Sequence, residues 1–148
     1  MTPKDLFSID ALMTDLQHYA NQELQNVGKS HVKVGAFPNS ETETCWIEAD
    51  RDCLRQILVI LLDDAVKYID SGFITFGYFA NEDAGTVRFF VEDSRSKNIT
   101  RCENDDLSIA EGLIEQIGSQ LNLVRRKSGE TSLNFTIKAL TNFSKTEN

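Results

Sequence analysis

The sequence predicts an α+β fold, a two-layer sandwich in which a mixed, mainly antiparallel sheet is covered on one face by about three helices. Three stretches place apolar residues at helical spacing, and the stretches between them alternate apolar and polar residues as half-buried strands do. Most of the predicted strands come in pairs joined by short turns, which favours antiparallel neighbours. Each helix has one apolar face to bury, so the helices are expected to cover one side of the sheet.

Two of the three helices have clear start signals. The first is predicted over 9–27, with Ser8 as its N-cap and Gly28 as its stop. Asp50 is placed to cap a second helix that runs to about Tyr68. The apolar face of this second helix is dense, which predicts that it is the central, buried helix.

The strands are predicted in pairs between the helices. The first pair is expected around 32–36 and 45–49, with the turn Pro38-Asn39-Ser40 between them. The second pair is expected over 73–79 and 87–91, joined by a loop of hairpin length that ends in glycine. These pairs supply the middle of the predicted sheet.

The last third of the chain repeats the pattern of helix and strand pair. A third helix is predicted over 107–117, terminated by Gly118, and a final strand pair over 121–127 and 132–139. The remaining residues, 141–148, are predicted to be a frayed, disordered tail.

Size and charge set limits on function. A chain of 148 residues, 41% of them apolar, is expected to form one domain, over 1–140. The net charge of -8 argues against nucleic-acid binding, which needs an excess of lysine and arginine. There is neither an apolar run of membrane-spanning length nor a signal-peptide pattern, so a cytoplasmic protein without membrane contact is expected.

The cysteines and histidines do not suggest catalysis. Cys45, Cys53 and Cys102 are odd in number and lack CxxC spacing, so neither a disulfide framework nor a zinc site is predicted. His18 and His31 are interpreted as surface or strand-edge side chains, and neither fits a phosphoacceptor histidine. No hydrolase signature is present, and no catalytic or metal-binding residue is predicted.

Several segments together carry a resemblance to a known family. Asp64-Ala65-Val66-Lys67-Tyr68 is similar to the Asn-Ala-x-Lys-Phe/Tyr segment that ends the central helix of that family, Gly72-Phe73-Ile74 enters the next strand as the family does, and a later apolar strand ends in Asp93. Over about 6–139 the chain resembles the ATP-binding domain of sensor histidine kinases, a member of the GHKL superfamily of ATPases. The resemblance implies the Bergerat type of two-layer α/β sandwich.

The resemblance also implies a vestigial ATP pocket. The family presents two asparagines at i and i+4 to Mg²⁺ and phosphate, and these positions are Ile60 and Asp64 here. Lys67 matches the phosphate-facing lysine, Tyr68 the aromatic that flanks the nucleotide, and Asp93 the aspartate that reads adenine. The alternative for Lys67 is a solvated cation near a helix C-terminus. Adjacent acids such as Asp63-Asp64 are interpreted as exposed charge and not as an acid/base pair.

Both glycine motifs of the family are replaced. The Gly-x-Gly that follows the adenine-reading aspartate is Ser94-Arg95-Ser96-Lys97 here, and the last four positions of the second motif fall at Asn104-Asp105-Asp106-Leu107. Glycine lets the backbone pass close to a nucleotide, and aspartates at a helix start repel a triphosphate. The lid between the two motifs is also short.

These features predict a degenerate histidine-kinase-like ATPase domain of two-component signalling that acts as a regulatory or protein-interaction module without a cofactor. The implied partner is a dimerisation and phosphotransfer helical domain or a response-regulator receiver domain. One alternative is the catalytic domain of a divergent sensor histidine kinase that uses ATP and Mg²⁺, which would be inactive alone. A second alternative is part of a phosphotransferase-like adaptor, which requires helices upstream of Met1.

Overall fold

Helices and strands alternate along most of the chain. The computed structural model describes residues 4–38, 43–94, 105–126, 129–139 and 141–145. In chain order the elements are β1 (Asp5–Ser8), α1 (Ile9–Asn26), β2 (Lys33–Phe37), β3 (Glu43–Ala49), α2 (Arg51–Tyr68), β4 (Phe73–Asn81), β5 (Thr86–Asp93), α3 (Asp105–Gln116), β6 (Asn122–Arg125), β7 (Thr131–Lys138) and β8 (Thr141–Lys145).

The strands form two sheets. The large sheet has the order β2-β4-β5-β7-β6; β2 and β4 are parallel, and the other neighbours are antiparallel. The small sheet has the order β1-β3-β8 and is antiparallel. The predicted α+β class and the mixed, mainly antiparallel sheet are therefore confirmed.

The prediction of a strand pair at 32–36 and 45–49 is wrong. The first strand is β2, which pairs in parallel with β4, and the second is β3, which pairs with β1 and β8 in the small sheet. Apolar alternation over five to seven residues identifies the buried face of a strand but not its neighbour. The predicted turn residues Asn39 and Ser40 lie outside the described residues.

The predicted disordered tail at 141–148 is wrong over its first part. Thr141–Lys145 forms β8, and Cys45 of β3 lies opposite Phe143 of β8. The polar composition of the segment hid a strand that forms because β3 offers it an edge with unpaired backbone groups.

The helix boundaries follow the predicted capping residues. The Ser8 hydroxyl accepts a hydrogen bond of 3.1 Å from the N–H of Ala11, and the Asp50 carboxylate accepts one of 3.1 Å from the N–H of Cys53. Such a cap stabilises a helix by about 1 kcal/mol. The first helix ends one residue before Val27, and Gly28 follows with a φ of 75°. These caps fix where α1 and α2 enter the core.

The core lies between the helices and one face of the large sheet. Phe76, Phe89 and Phe135 are fully buried on three neighbouring strands, and the last two rings stack with centroids 5.4 Å apart. The second helix buries Leu58 and Leu61 completely and contacts both other helices, so the predicted central helix is confirmed. Among the described residues, no helix is long and apolar enough to cross a membrane.

Asp10 joins the two sheets through one carboxylate. Its Oδ2 accepts a 2.7 Å hydrogen bond from the backbone N–H of Cys45 in β3, and its Oδ1 accepts a 2.9 Å bond from the Tyr78 hydroxyl in β4. Burial, followed by the bond to Asp10, raises the pKa of Tyr78. Because α1 carries the acceptor, it holds the small sheet against the large one.

A polar network on the outer side fixes α1 against α2. The Tyr19 hydroxyl donates a 2.6 Å hydrogen bond to Asp63, and Arg55 donates a 2.8 Å bond to Asp15. The guanidinium carbon of Arg55 also lies 5.9 Å from the centre of the Tyr19 ring. Burial and the carboxylate of Asp63 raise the pKa of Tyr19, so the tyrosine stays a donor over the physiological range.

Candidate nucleotide-binding site

The two adjacent acids of α2 lie in different environments. Asp64 is buried, with 4% of its surface exposed, whereas Asp63 is half-buried and accepts the hydrogen bond from Tyr19. The interpretation of this pair as exposed charge is therefore wrong. Successive residues of a helix point about 100° apart, so these carboxylates do not form an acid/base pair.

Ile60 lies one turn before Asp64, at the position where the kinase resemblance expects an asparagine. Its side chain is partly buried and packs against the hydrophobic core. An alkyl group has no lone pair for a hard cation, which is bound by oxygen ligands. Of the two positions, only Asp64 has an oxygen to offer. Among the described residues, no group of three His, Cys, Asp or Glu side chains is arranged to hold a metal ion.

Asp93 ends β5 inside a row of residues that runs across the large sheet. It is 1% exposed and lies opposite Ile74 of β4 and Thr131 of β7. Residues directly opposite one another in a sheet share a face, so Asp93 and Thr131 both point towards the helix-covered side. Two polar side chains are thus buried together at the end of an apolar strand.

Thr131 is a candidate site residue that the sequence analysis missed. It is 5% exposed, and its hydroxyl has no hydrogen-bond partner among the described residues. The row continues to the exposed Arg125 of β6, about 10 Å from Asp93 at the usual strand spacing. Thr131 is recognised as a neighbour of Asp93 only when β5 is known to pair with β7. Alternation of apolar and polar residues in the sequence does not predict that pairing.

Lys67 and Tyr68 lie in the last turn of α2. Lys67 is exposed, and its ammonium group lies 5.3 Å from the centre of the Tyr68 ring. The ammonium of Lys29 donates to the backbone oxygens of Val66 at 2.9 Å and of Lys67 at 3.3 Å. Two cations therefore lie at the negative end of the helix dipole, which stabilises the end of α2 whether or not a ligand binds.

Ser94 fixes the chain directly after Asp93. Its hydroxyl accepts a 2.9 Å hydrogen bond from the N–H of Phe73, and its own N–H donates a 3.1 Å bond to the Phe73 oxygen. Gly72 has a φ of 109°, and a Cβ there would collide with the Ser94 hydroxyl. Glycine is therefore required at position 72 by both conformation and space.

Most of the residues that replace the two glycine motifs lie outside the described residues. This applies to Arg95, Ser96 and Lys97, and to Asn104 in the second motif. The described chain resumes at Asp105, the first residue of α3.

The remaining reactive residue types are inert or lie apart from the site. Cys45 is fully buried, and burial raises the pKa of the half-buried Cys53 thiol, which lowers its thiolate fraction. His18 is exposed, and the Nε2 of His31 lies 2.7 Å from the carbonyl oxygen of Asp70, two residues after α2. Cys102 lies outside the described residues.

Comparison with known proteins identifies the fold. No protein-family model matches the sequence, and no curated protein matches it. Solved structures of histidine kinases do match. The chain covers 93% of its length on the Acinetobacter baumannii histidine kinase AdeS, with 13% identity and a TM-score of 0.73, and it spans 68% of that chain. It aligns with the catalytic domain of histidine kinase ThkA over 93% of its length and 97% of that domain, with 16% identity and a TM-score of 0.71.

A third match is full-length ShkA, solved in complex with AMPPNP. It has a TM-score of 0.79 and 20% identity over 97% of the present chain, which spans only 33% of ShkA. The chain therefore has the fold of histidine kinase catalytic domains, the GHKL type that the sequence predicted.

Proposed function

We propose that this chain is a histidine-kinase-like ATPase domain of two-component signalling that acts as a regulatory or protein-interaction module and has lost the phosphate chemistry of an active kinase. The observation that carries the proposal is Ile60, which packs against the core where the central helix should present an oxygen ligand. A retained scaffold with an eroded ligand set fits a role in protein binding, since the outer surfaces dock partners without nucleotide.

The charge at the positions that the resemblance assigns to the triphosphate supports this proposal. Asp64 is buried without a second oxygen ligand one turn before it, so a metal ion that would screen its charge from phosphate lacks part of its coordination. The sequence adds two aspartates at the start of α3, where active family members use backbone amides. The proposed partner is a dimerisation and phosphotransfer helical domain or a receiver domain, in the cytoplasm.

The second candidate function is that of a divergent catalytic domain that still binds ATP. It is favoured by the position that the resemblance assigns to the base, where the buried Asp93 lies opposite Thr131, whose hydroxyl has no hydrogen-bond partner among the described residues. A carboxylate and a hydroxyl side by side suit the amino group and ring nitrogen of a purine. The two candidates therefore differ in what happens to phosphate, and not in the shape of the fold.

A phosphotransfer array separates the two candidates. Purified dimerisation and phosphotransfer domains, and purified receiver domains, from the organism that encodes this chain are tested one by one for binding by biolayer interferometry. Each is also incubated with the chain and labelled Mg²⁺-ATP. The proposal expects saturable binding to a particular domain, with an affinity that ATP does not change, and no label on any histidine.

The control is the Asp93→Ala variant. In the proposed module this variant binds its partner as the unmodified chain does, provided that its circular dichroism spectrum is unchanged. Label that appears on a histidine with the unmodified chain and disappears with Asp93→Ala would overturn the proposal in favour of the divergent kinase.

A further inference from the structure

The face of the large sheet that the helices leave uncovered carries an aromatic cluster, formed by Phe37 of β2, Phe79 of β4 and Phe90 of β5. The ring centroids of Phe37 and Phe79 are 5.0 Å apart, and those of Phe79 and Phe90 are 5.3 Å apart and stacked at 25°. Gly77 lies opposite both Phe37 and Phe90, and a Cβ on it would collide with the Phe37 carbonyl oxygen. The rings thus cover a gap that the glycine leaves.

Covering Gly77 does not account for the whole cluster. Phe90 is 7% exposed, as expected of a ring beneath two others, but Phe79 remains 50% exposed and Phe37 43%. Phe73, on the same face of β4, is 37% exposed. Contiguous exposed aromatic surface is unusual on a monomer and marks a contact surface.

The charges on and beside this face nearly balance, although the chain carries a net charge of -8. Arg126 and Glu92 form an ion pair of 3.5 Å there, and the guanidinium carbon of Arg88 lies 5.8 Å from the centre of the Phe79 ring. The described cations of the face are Lys33, Arg88, Arg126 and Lys138, and its carboxylates are Glu82, Asp83, Glu92 and Glu130. Most of the excess negative charge therefore lies on other surfaces, and two copies of the chain repel least through this one.

The face is also complementary to itself. A cleft of about 590 Å³ beside the cluster is lined by Phe79, Arg88, Glu82 and Asp83, so an aromatic ring, a cation and two carboxylates lie side by side. In a two-fold symmetric pair each contact occurs twice with the roles exchanged. We propose that this face binds a second copy of the chain, with the Phe79 rings packed together and each Arg88 facing Glu82 and Asp83 of the partner subunit. The inference does not depend on whether the chain binds nucleotide.

The area of the sheet sets the strength of this contact. Strands spaced about 4.8 Å apart, with three central strands of eight or nine residues, give a face of roughly 400 Å² per copy. The total of about 800 Å² is below the roughly 1,000 Å² of stable specific interfaces and is typical of weak, transient contacts. A reversible dimer with a Kd on the order of 100 μM is therefore expected.

Sedimentation velocity on the full chain tests the proposal. From about 10 μM to 1 mM protein at ~0.15 M salt, the unmodified chain is expected to shift from monomer towards dimer. Phe79→Glu should raise the Kd about tenfold or more, since it replaces the aromatic pair at the centre with two carboxylates, one from each copy. Ile109→Glu is the matched control, because Ile109 is 51% exposed on α3, away from the sheet face, and its variant should dimerise unchanged.

A charge exchange provides the second test and does not depend on removing an aromatic ring. Arg88→Glu in one chain, and Glu82→Arg with Asp83→Arg in another, should each abolish the homodimer. Mixed in equal amounts they should form a heterodimer, because both contacts then join opposite charges. Circular dichroism checks that each variant is folded. A chain that is monomeric up to 1 mM, a dimer that survives Phe79→Glu, or a mixture that stays monomeric while the unmodified chain dimerises would each overturn the proposal.

Discussion

Thr131→Val is expected to stabilise the protein. The Thr131 hydroxyl is buried without a partner among the described residues, and such a group costs about 1–3 kcal/mol of stability. Valine has the same shape, replaces the hydroxyl with a methyl group and favours the strand conformation. The free energy of unfolding should rise by about 1–2 kcal/mol, which for a chain of this size is roughly 3–6 °C in Tm.

Urea denaturation followed by circular dichroism measures this difference directly. The matched control is Thr136→Val, because Thr136 lies on the same strand but is exposed, and this substitution should change stability by less than about 0.5 kcal/mol. A loss of about 1 kcal/mol or more in Thr131→Val, with no change in the control, would refute the reasoning, since it would mean that the hydroxyl makes a favourable hydrogen bond.

Three further predictions concern stability. Asp10→Ala should lower the free energy of unfolding by about 3–5 kcal/mol in urea, because the Tyr78 hydroxyl and a backbone N–H lose their acceptor; a loss below about 1 kcal/mol would contradict this. Gly72→Ala should cost about 1–3 kcal/mol through its φ of 109° and the neighbouring hydroxyl, more than Gly85→Ala, which has open space around it. The pKa values of Tyr19 and Tyr78 are higher in the folded protein than in the unfolded chain. Their contribution to stability is therefore complete below pH ~10, the pKa of tyrosine in the unfolded chain, and is lost as the pH rises through their pKa values in the folded protein. Urea titrations across that range should show the loss, and Tyr78→Phe should reduce it.

Local signals in the sequence predict where the helices α1 and α2 begin. Ser8 and Asp50 cap α1 and α2 because their side chains reach backbone N–H groups three residues away, an interaction that depends only on nearby sequence. The strand neighbours depend on long-range pairing instead. For this reason the sequence does not indicate β1 and β8, and it predicts one pair of β2 and β3, which lie in different sheets.

The residues of the candidate site also differ in whether local sequence or long-range pairing determines their position. The positions of Ile60 and Asp64 follow from helical spacing, so the missing ligand was visible in the sequence. Thr131 was not, because its position opposite Asp93 exists only once β5 pairs with β7. The burial of Asp64 was also missed, since a carboxylate next to another acid is usually solvated.

The most direct test of the central claim, that the nucleotide site is degenerate, is titration of the purified chain with ATP and ADP, with and without Mg²⁺, by calorimetry and thermal shift. A ligand present at about a hundred times its Kd would raise the free energy of unfolding by about 2.7 kcal/mol, which is readily measured as a shift in Tm. The account predicts neither heat nor stabilisation with millimolar nucleotide. Micromolar, Mg²⁺-dependent binding that disappears in Asp93→Ala would contradict it.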